Sequence, residues 1–308
     1  MKLVNSICAL SLAACSSGAT SYLPTNGTTS ATAPSYNTAS THKYSTASTQ
    51  KYIYVGDAKN EQLLVYPEGV SNPSPIRTIP LGDAPQGLAV DGNGNVFVAL
   101  LNTSTIDVFS HGATSLVRTI TNGIYKPEGV AIDERNWLYV ASHCQSGCKS
   151  GYVAEFKPDS DSATAQINAP PNFAIEGVAV HNGVVFIDIY ESVGGFAQEY
   201  VSGRPKGRPI ALAACAGLAL DNAGTLYAAN GSTLSVYAPP SYAPTKNTYY
   251  GAGIHLIGRG NDGTIYVPSP GTSPSTSPSV VVLPTGSQSS YVITAGLANA
   301  APFGVGAD

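Results

Sequence analysis

Charge is the scarcest commodity in this sequence. Asp, Glu, Lys and Arg make up 11% of 308 residues, against roughly 25% in an average soluble protein. Helical bundles and coiled coils stabilise their exposed faces with such residues, so both are disfavoured. The net charge is −4, which argues against a partner recognised through its phosphate backbone, and no nucleic acid is expected. There is one Trp, Trp137, and no WD40 signature accompanies it. No P-loop, GxSxG or HExxH pattern occurs, so the common phosphate-cradling, serine-nucleophile and zinc-hydrolase motifs are absent. The longest leading apolar run, Leu3 to Ala14, is far short of the about 20 residues a membrane-spanning helix needs.

What is present is glycine (32), proline (22) and tyrosine (18) within a 43% hydrophobic chain. Tyrosine and β-branched residues fit pleated, half-buried surfaces, and Gly and Pro punctuate them. The composition therefore points to many short strands joined by turns.

The leading run follows a single positive charge, Lys2, and ends in small residues before Cys15. It reads as a signal-peptide core spanning residues 1–14. Leu12-Ala13-Ala14-Cys15 resembles the bacterial lipobox. That resemblance implies cleavage before Cys15, lipidation of Cys15, and contact with the membrane through the lipid anchor alone, since more than one acyl chain gives stable anchoring. An ordinary secretory leader cut near Ala14 is the other reading. Both place the protein in the bacterial cell envelope, and Ser16 after the cysteine leans towards the outer membrane or cell surface. From Ser16 to Gln50, 22 of 35 residues are Ser, Thr or Ala, without periodicity and with Lys43 as the one formal charge. Residues 15–51 thus read as a lipidated cysteine and a disordered tether, with ends about 30 Å apart at random-coil scaling.

Residues 52–308 contain an internal repeat. Pro85-Gln-Gly-Leu-Ala-Val-Asp91, Pro127-Glu-Gly-Val-Ala-Ile-Asp133, Ile175-Glu-Gly-Val-Ala-Val180 and Ala216-Gly-Leu-Ala-Leu-Asp221 align with one another. Each is followed by a second apolar strand centred on an aromatic: Phe97, Tyr139, Phe186 or Tyr227. Tyr54 and Tyr266 extend the series to six, at spacings of 43, 42, 47, 41 and 39 residues. Third strands end near Tyr66, Phe109, Phe156, Tyr200, Tyr237 and Leu283, and fourth strands follow in runs such as Pro75 to Ile79, Leu116 to Ile120 and Tyr291 to Thr294. Four strands per repeat is a propeller blade. Pro302 to Asp308 is a first strand with no successor, and Tyr52 to Val55 a second strand with no predecessor. Pairing them closes the ring, so the expected fold is an all-β, six-bladed β-propeller of four antiparallel strands per blade, and a monomer. Blade six departs from the motif, since Leu256-Ile-Gly-Arg-Gly260 puts Arg259 on an inner strand. The pattern resembles NHL-type and regucalcin/gluconolactonase-type six-bladed propellers.

The residue preceding each first-strand Gly should point into the channel mouth. In ring order these positions hold Phe303, Gln86, Glu128, Glu176, Ala216 and His255. Two neighbouring carboxylates either share a proton or hold a cation, or form a solvated surface. The gluconolactonase resemblance implies Glu128, Glu176 and Gln86 as oxygen ligands of Ca²⁺ at the channel mouth, whereas Ala216 and Phe303 cannot ligate and His255 suits zinc better. A long loop carries His143, Cys144 and Cys148. After export a Cys144–Cys148 disulfide is expected, with free thiols and metal as alternatives; Cys215 is left over as a small buried apolar residue. Asp188, Tyr190 and Glu191 read as a solvated loop on the mouth face, and Pro268 to Pro278 as a mobile Ser/Pro-rich loop. Asp91-Gly-Asn-Gly-Asn95 reads as a hairpin turn on the opposite face, despite a superficial likeness to a calcium loop.

Two functions compete. One is a non-catalytic binding or scaffold lipoprotein for a protein, glycan or small ligand, held by Glu128, Glu176, Gln86 and His255. The other is a metal-dependent lactonase-type hydrolase or streptogramin-lyase-like lyase.

Overall fold

A computed structural model describes residues 50–143, 150–191, 194–201, 203–212, 217–271, 277–285 and 289–308. Cys15, Cys144, Cys148, Cys215 and Ala216 lie outside these residues, as does the segment 1–49.

Short amphipathic strands cannot bury their faces alone, and six sheets solve this by packing face to face around an axis. Blade one is Pro302–Ala307, Tyr52–Asp57, Gln62–Pro67 and Arg77–Pro80, from inside to outside. Blade two is Pro85–Val90, Val96–Leu100, Thr105–Phe109 and Leu116–Ile120, and blade three Pro127–Ile132, Leu138–Ser142, Tyr152–Phe156 and Ala165–Asn168. Blade four is Ala174–His181, Val184–Glu191, Gly194–Val201 and Arg204–Leu212. In blade five the middle two strands run on as one stretch, Leu226–Ala238. Its first part pairs with Gly217–Leu220 and its second with Ala243–Ile254, the direction changing around Gly231 at φ 65°. Blade six is Gly258–Arg259, Ile265–Ser269, Ser279–Leu283 and Tyr291–Ile293.

The C-terminal strand closes the ring as the repeat arithmetic requires, with Ile53 opposite Ala307 and Val55 opposite Val305. Asp308 reinforces the closure by accepting the Tyr52 amide at 3.0 Å and bonding His111 of blade two at 2.8 Å. Core clusters form between blades: Tyr66, Tyr266, Val305 and Leu297 join blades six and one, and Phe97, Val140 and Phe156 join blades two and three.

Two features of the repeat now have physical causes. The Asp that follows the first strand in blades two, three and five caps the turn after it. Asp91 Oδ1 accepts the amides of Asn93 (2.9 Å) and Asn95 (2.8 Å), Asp133 those of Arg135 and Trp137, and Asp221 those of Ala223 and Thr225. The Asp91 loop is therefore a turn closed by its own carboxylate. The first-strand Gly is required by crowding at the axis. A Cβ on Gly129 would lie 2.5 Å from the Glu176 carbonyl oxygen, and Gly87, Gly217 and Gly304 meet the carbonyls of Glu128, His255 and Gln86 in the same way.

Three expectations need correction. Asp188 is fully buried inside the strand Val184–Glu191, not in a solvated loop: counted from the shared aromatic, Phe186 against Phe97, it takes the place of Ala99, which is inside blade two's second strand. Pro268 and Ser269 belong to a strand, where Pro268 stands opposite Val280, so the insertion begins later. The outer strand of blade one starts at Arg77, after Pro73 and Pro75 have excluded a ladder.

Candidate functional site

Each inner strand begins on one face of the ring, here called upper, and ends on the lower face. In blade three, Pro127 stands opposite Ser142, so the start of the inner strand and the end of the second strand meet at the upper face. That register places His143 beside Glu128. The His143 amide donates to the Tyr125 carbonyl at 2.9 Å, fixing its backbone. Its Nε2 then bonds Glu128 Oε1 at 2.7 Å, with the side chains 30% and 16% exposed respectively.

Burial alone would push the His143 imidazole below its ordinary pKa. The hydrogen bond and charge of Glu128, joined by the charge of Glu176 on the next blade, outweigh burial and hold it above. His143 therefore lies in the field of both carboxylates. The sequence left a shared proton, a bound cation and a solvated surface open for that pair; the structure adds a histidine beside it, bonded to Glu128. His143 was visible in the sequence as part of the cysteine loop, but its role depends on strand register. The available signal was its position one residue past the second strand, on the mouth face.

The remaining predicted residues assemble around the same rim. The packing of Gly87, Gly129, Gly217 and Gly304 against the next blade's backbone puts Gln86, Glu128, Glu176 and His255 at one level of the ring. Gln86 is only 5% exposed. His255 stacks on Phe303 with centroids 4.6 Å apart and planes inclined by 16°. Burial, opposed by the Glu128 charge, pushes the His255 imidazole down, so it is a neutral ring against an aromatic ring. The mouth thus has an ionic side on blades three and four and an aromatic side at the junction of blades six and one.

Behind the rim the channel is narrow. Its walls are the Leu, Ala, Val and Ile side chains of the inner strands, and its volume is ≈ 30 Å³. That holds water but no organic ligand. Towards the lower end Arg259 donates to Asn222 Oδ1 at 2.6 Å and lies 4.0 Å from Glu134. Turn-to-turn bonds stitch that end: Gly92 to Asn136, Asn182 to Glu134, Asn222 to Asp262 and Asn261 to Asp91. A ligand at the upper face must stay at the mouth.

Calcium takes six to eight oxygen ligands. At this level the described side chains offer Gln86, Glu128 and Glu176, and Glu128 Oε1 is bonded to His143 Nε2. Among the described residues no group of three or more His, Cys, Asp or Glu side chains is arranged to share a metal ion.

No family description matches the chain, and no curated protein matches it. Solved structures do. A protein of unknown function from Bacteroides caccae superimposes with a TM-score of 0.65 at 9% identity, over 84% of this chain and 99% of that one. A chain of a nidogen/laminin complex superimposes with a TM-score of 0.62 at 14% identity, over 83% and 98%. At such identities the likeness is one of fold.

Proposed function

We propose that the chain is an exported, envelope-tethered propeller that binds a ligand non-covalently at the upper mouth, between the Glu128–His143–Glu176 group and the His255–Phe303 pair. The observation that carries this reading is the Glu128–His143 bond at 2.7 Å. It makes a preorganised polar anchor of charge-assisted strength, beside a flat aromatic surface and above a channel too narrow to admit a ligand. Such a site suits a protein loop, a glycan or a small molecule with one polar and one apolar side. The lipobox-like Leu12 to Cys15 and the Ser/Thr/Ala tether support anchoring at the bacterial envelope. The chain joins the ring at Tyr52, on the lower face. Anchored there, it would present the mouth away from the membrane.

The metal-dependent hydrolase or lyase reading keeps one supporting observation, the placement of Glu128 and Glu176 on adjacent blades at one level. A thermal-shift screen of glycans, peptides and Ca²⁺ on the wild type and on Glu128→Gln with Glu176→Gln separates the two. Under the binding reading an organic ligand raises Tm for the wild type and not for the double variant, while Ca²⁺ does nothing. A Ca²⁺-dependent rise lost in the double variant would overturn it in favour of the metal.

A further inference from the structure

A second concavity lies on the lower face, between blades six and one and remote from the mouth. Its volume is ≈ 540 Å³, within the range of small-molecule sites. Two carboxylates, Glu68 and Asp262, and two phenol rings, Tyr266 and Tyr291, line it, with Lys51 and Val70 at its edge. The Tyr266 hydroxyl donates to Glu68 Oε1 at 3.0 Å, which ties blade six to blade one and orients the carboxylate. Asp262 is fixed by the Thr264 amide (2.8 Å) and hydroxyl (2.9 Å). The walls are therefore built before any ligand arrives.

We propose that this groove binds a small organic cation, an amine or guanidinium on a short aliphatic stem. Two oriented carboxylates face one lysine, so the groove carries excess negative charge. The half-buried Tyr291 ring adds an attraction for cations that neutral ligands do not feel. Val70, 47% exposed, with the half-buried Pro284, supplies an apolar strip for the stem. The electrostatics agree with the geometry. Burial raises the Glu68 pKa, and the Asp262 and Asp308 charges raise it further against the relief given by Tyr266 and Lys51. An added cation would relieve that repulsion. None of this depends on the mouth, so this site and the proposed mouth site can fail separately.

The test is calorimetry with agmatine on the full-length protein in low salt, with methyl β-glucoside as a neutral probe. Agmatine should bind the wild type and weaken as salt rises. Glu68→Gln keeps the Tyr266 bond and removes the charge, and should lose at least about tenfold in affinity, as expected for a charge-assisted contact. Val70→Trp should block the groove by bulk alone, which covers the case in which Glu68→Gln misfolds. Asp161→Asn on blade three, an acid distant from the groove, should bind as wild type. Absence of agmatine binding, equal binding by Glu68→Gln and Val70→Trp, or equal binding of the neutral glucoside would each overturn the proposal.

Discussion

Replacing Gly129 with alanine adds one carbon at the most crowded level of the ring. The new Cβ would sit 2.5 Å from the Glu176 carbonyl oxygen, 3.0 Å from the Val178 nitrogen and 3.1 Å from the Gly177 Cα. Ordinary contact begins at 3.4 Å. All three neighbours are backbone, so no side chain can rotate aside, and the inner strands of blades three and four must separate. Overpacking of this kind costs about 1–3 kcal/mol and occasionally more, and the upper half of that range applies where only backbone can move. Alanine recovers about 0.5–1 kcal/mol by stiffening the unfolded chain, leaving a net loss of about 2 kcal/mol. At about 2–4 °C per kcal/mol for a domain of this size class, Tm should fall by about 4–8 °C. Gly82→Ala is the matched control. Gly82 has φ 73° and nothing within 4 Å of an added Cβ, so it pays for left-handed backbone strain alone, about 1–2 kcal/mol before the same entropic offset. Thermal melts of the two variants side by side decide the matter. A Gly129→Ala protein melting within 1 °C of wild type, by about a quarter of the smallest expected fall, or above Gly82→Ala, would refute the crowding argument.

Deleting Pro302 to Asp308 removes the buried Val305 and Ala307, the ladder to Tyr52–Asp57 and the Asp308 bonds to Tyr52 and His111; the loss should be at least about 5 kcal/mol, read as unfolding or aggregation at 37 °C, and a normal melt would sink the closure. Glu128→Gln should lower the His143 pKa, followed by imidazole NMR, because burial would then lack its main opponent. Since the folded-state His143 pKa stands above the unfolded value, its contribution is full below about pH 6.5. It is lost as pH rises through the folded value. The Tm gap between wild type and Glu128→Gln should therefore narrow as pH rises past that point, and a widening gap would contradict the ion pair. Cys15→Ser should abolish palmitate labelling and release processed protein into the soluble fraction; persistent labelling would overturn Cys15 as the lipidation site.

How much of this was legible in the sequence varies by level. The repeat, the blade boundaries and the C-terminal closure were, because a strand-one motif recurring near 43 residues is a covalent record of identical packing environments. The glycines and aspartates of that motif could be read as small and turn-forming, and the structure adds only what they touch: a carbonyl of the next blade and two amides of the following turn. Ring arithmetic also brought Glu128 and Glu176 to one rim without coordinates.

Other features depended on partners far apart in sequence or on local register. His143 was seen as a neighbour of cysteines, and only the pairing of Pro127 with Ser142 turned it towards Glu128. Asp188 looked like loop because a run of alternating residues does not say where its ladder stops. The lower groove had no sequence signature at all, since Glu68 and Tyr266 are 198 positions apart and meet only because the last blade closes on the first. Periodicity is written along the chain and survives reading in one dimension. A site made of single residues from different blades exists only once the ring has shut, because proximity there comes from tertiary closure and not from spacing.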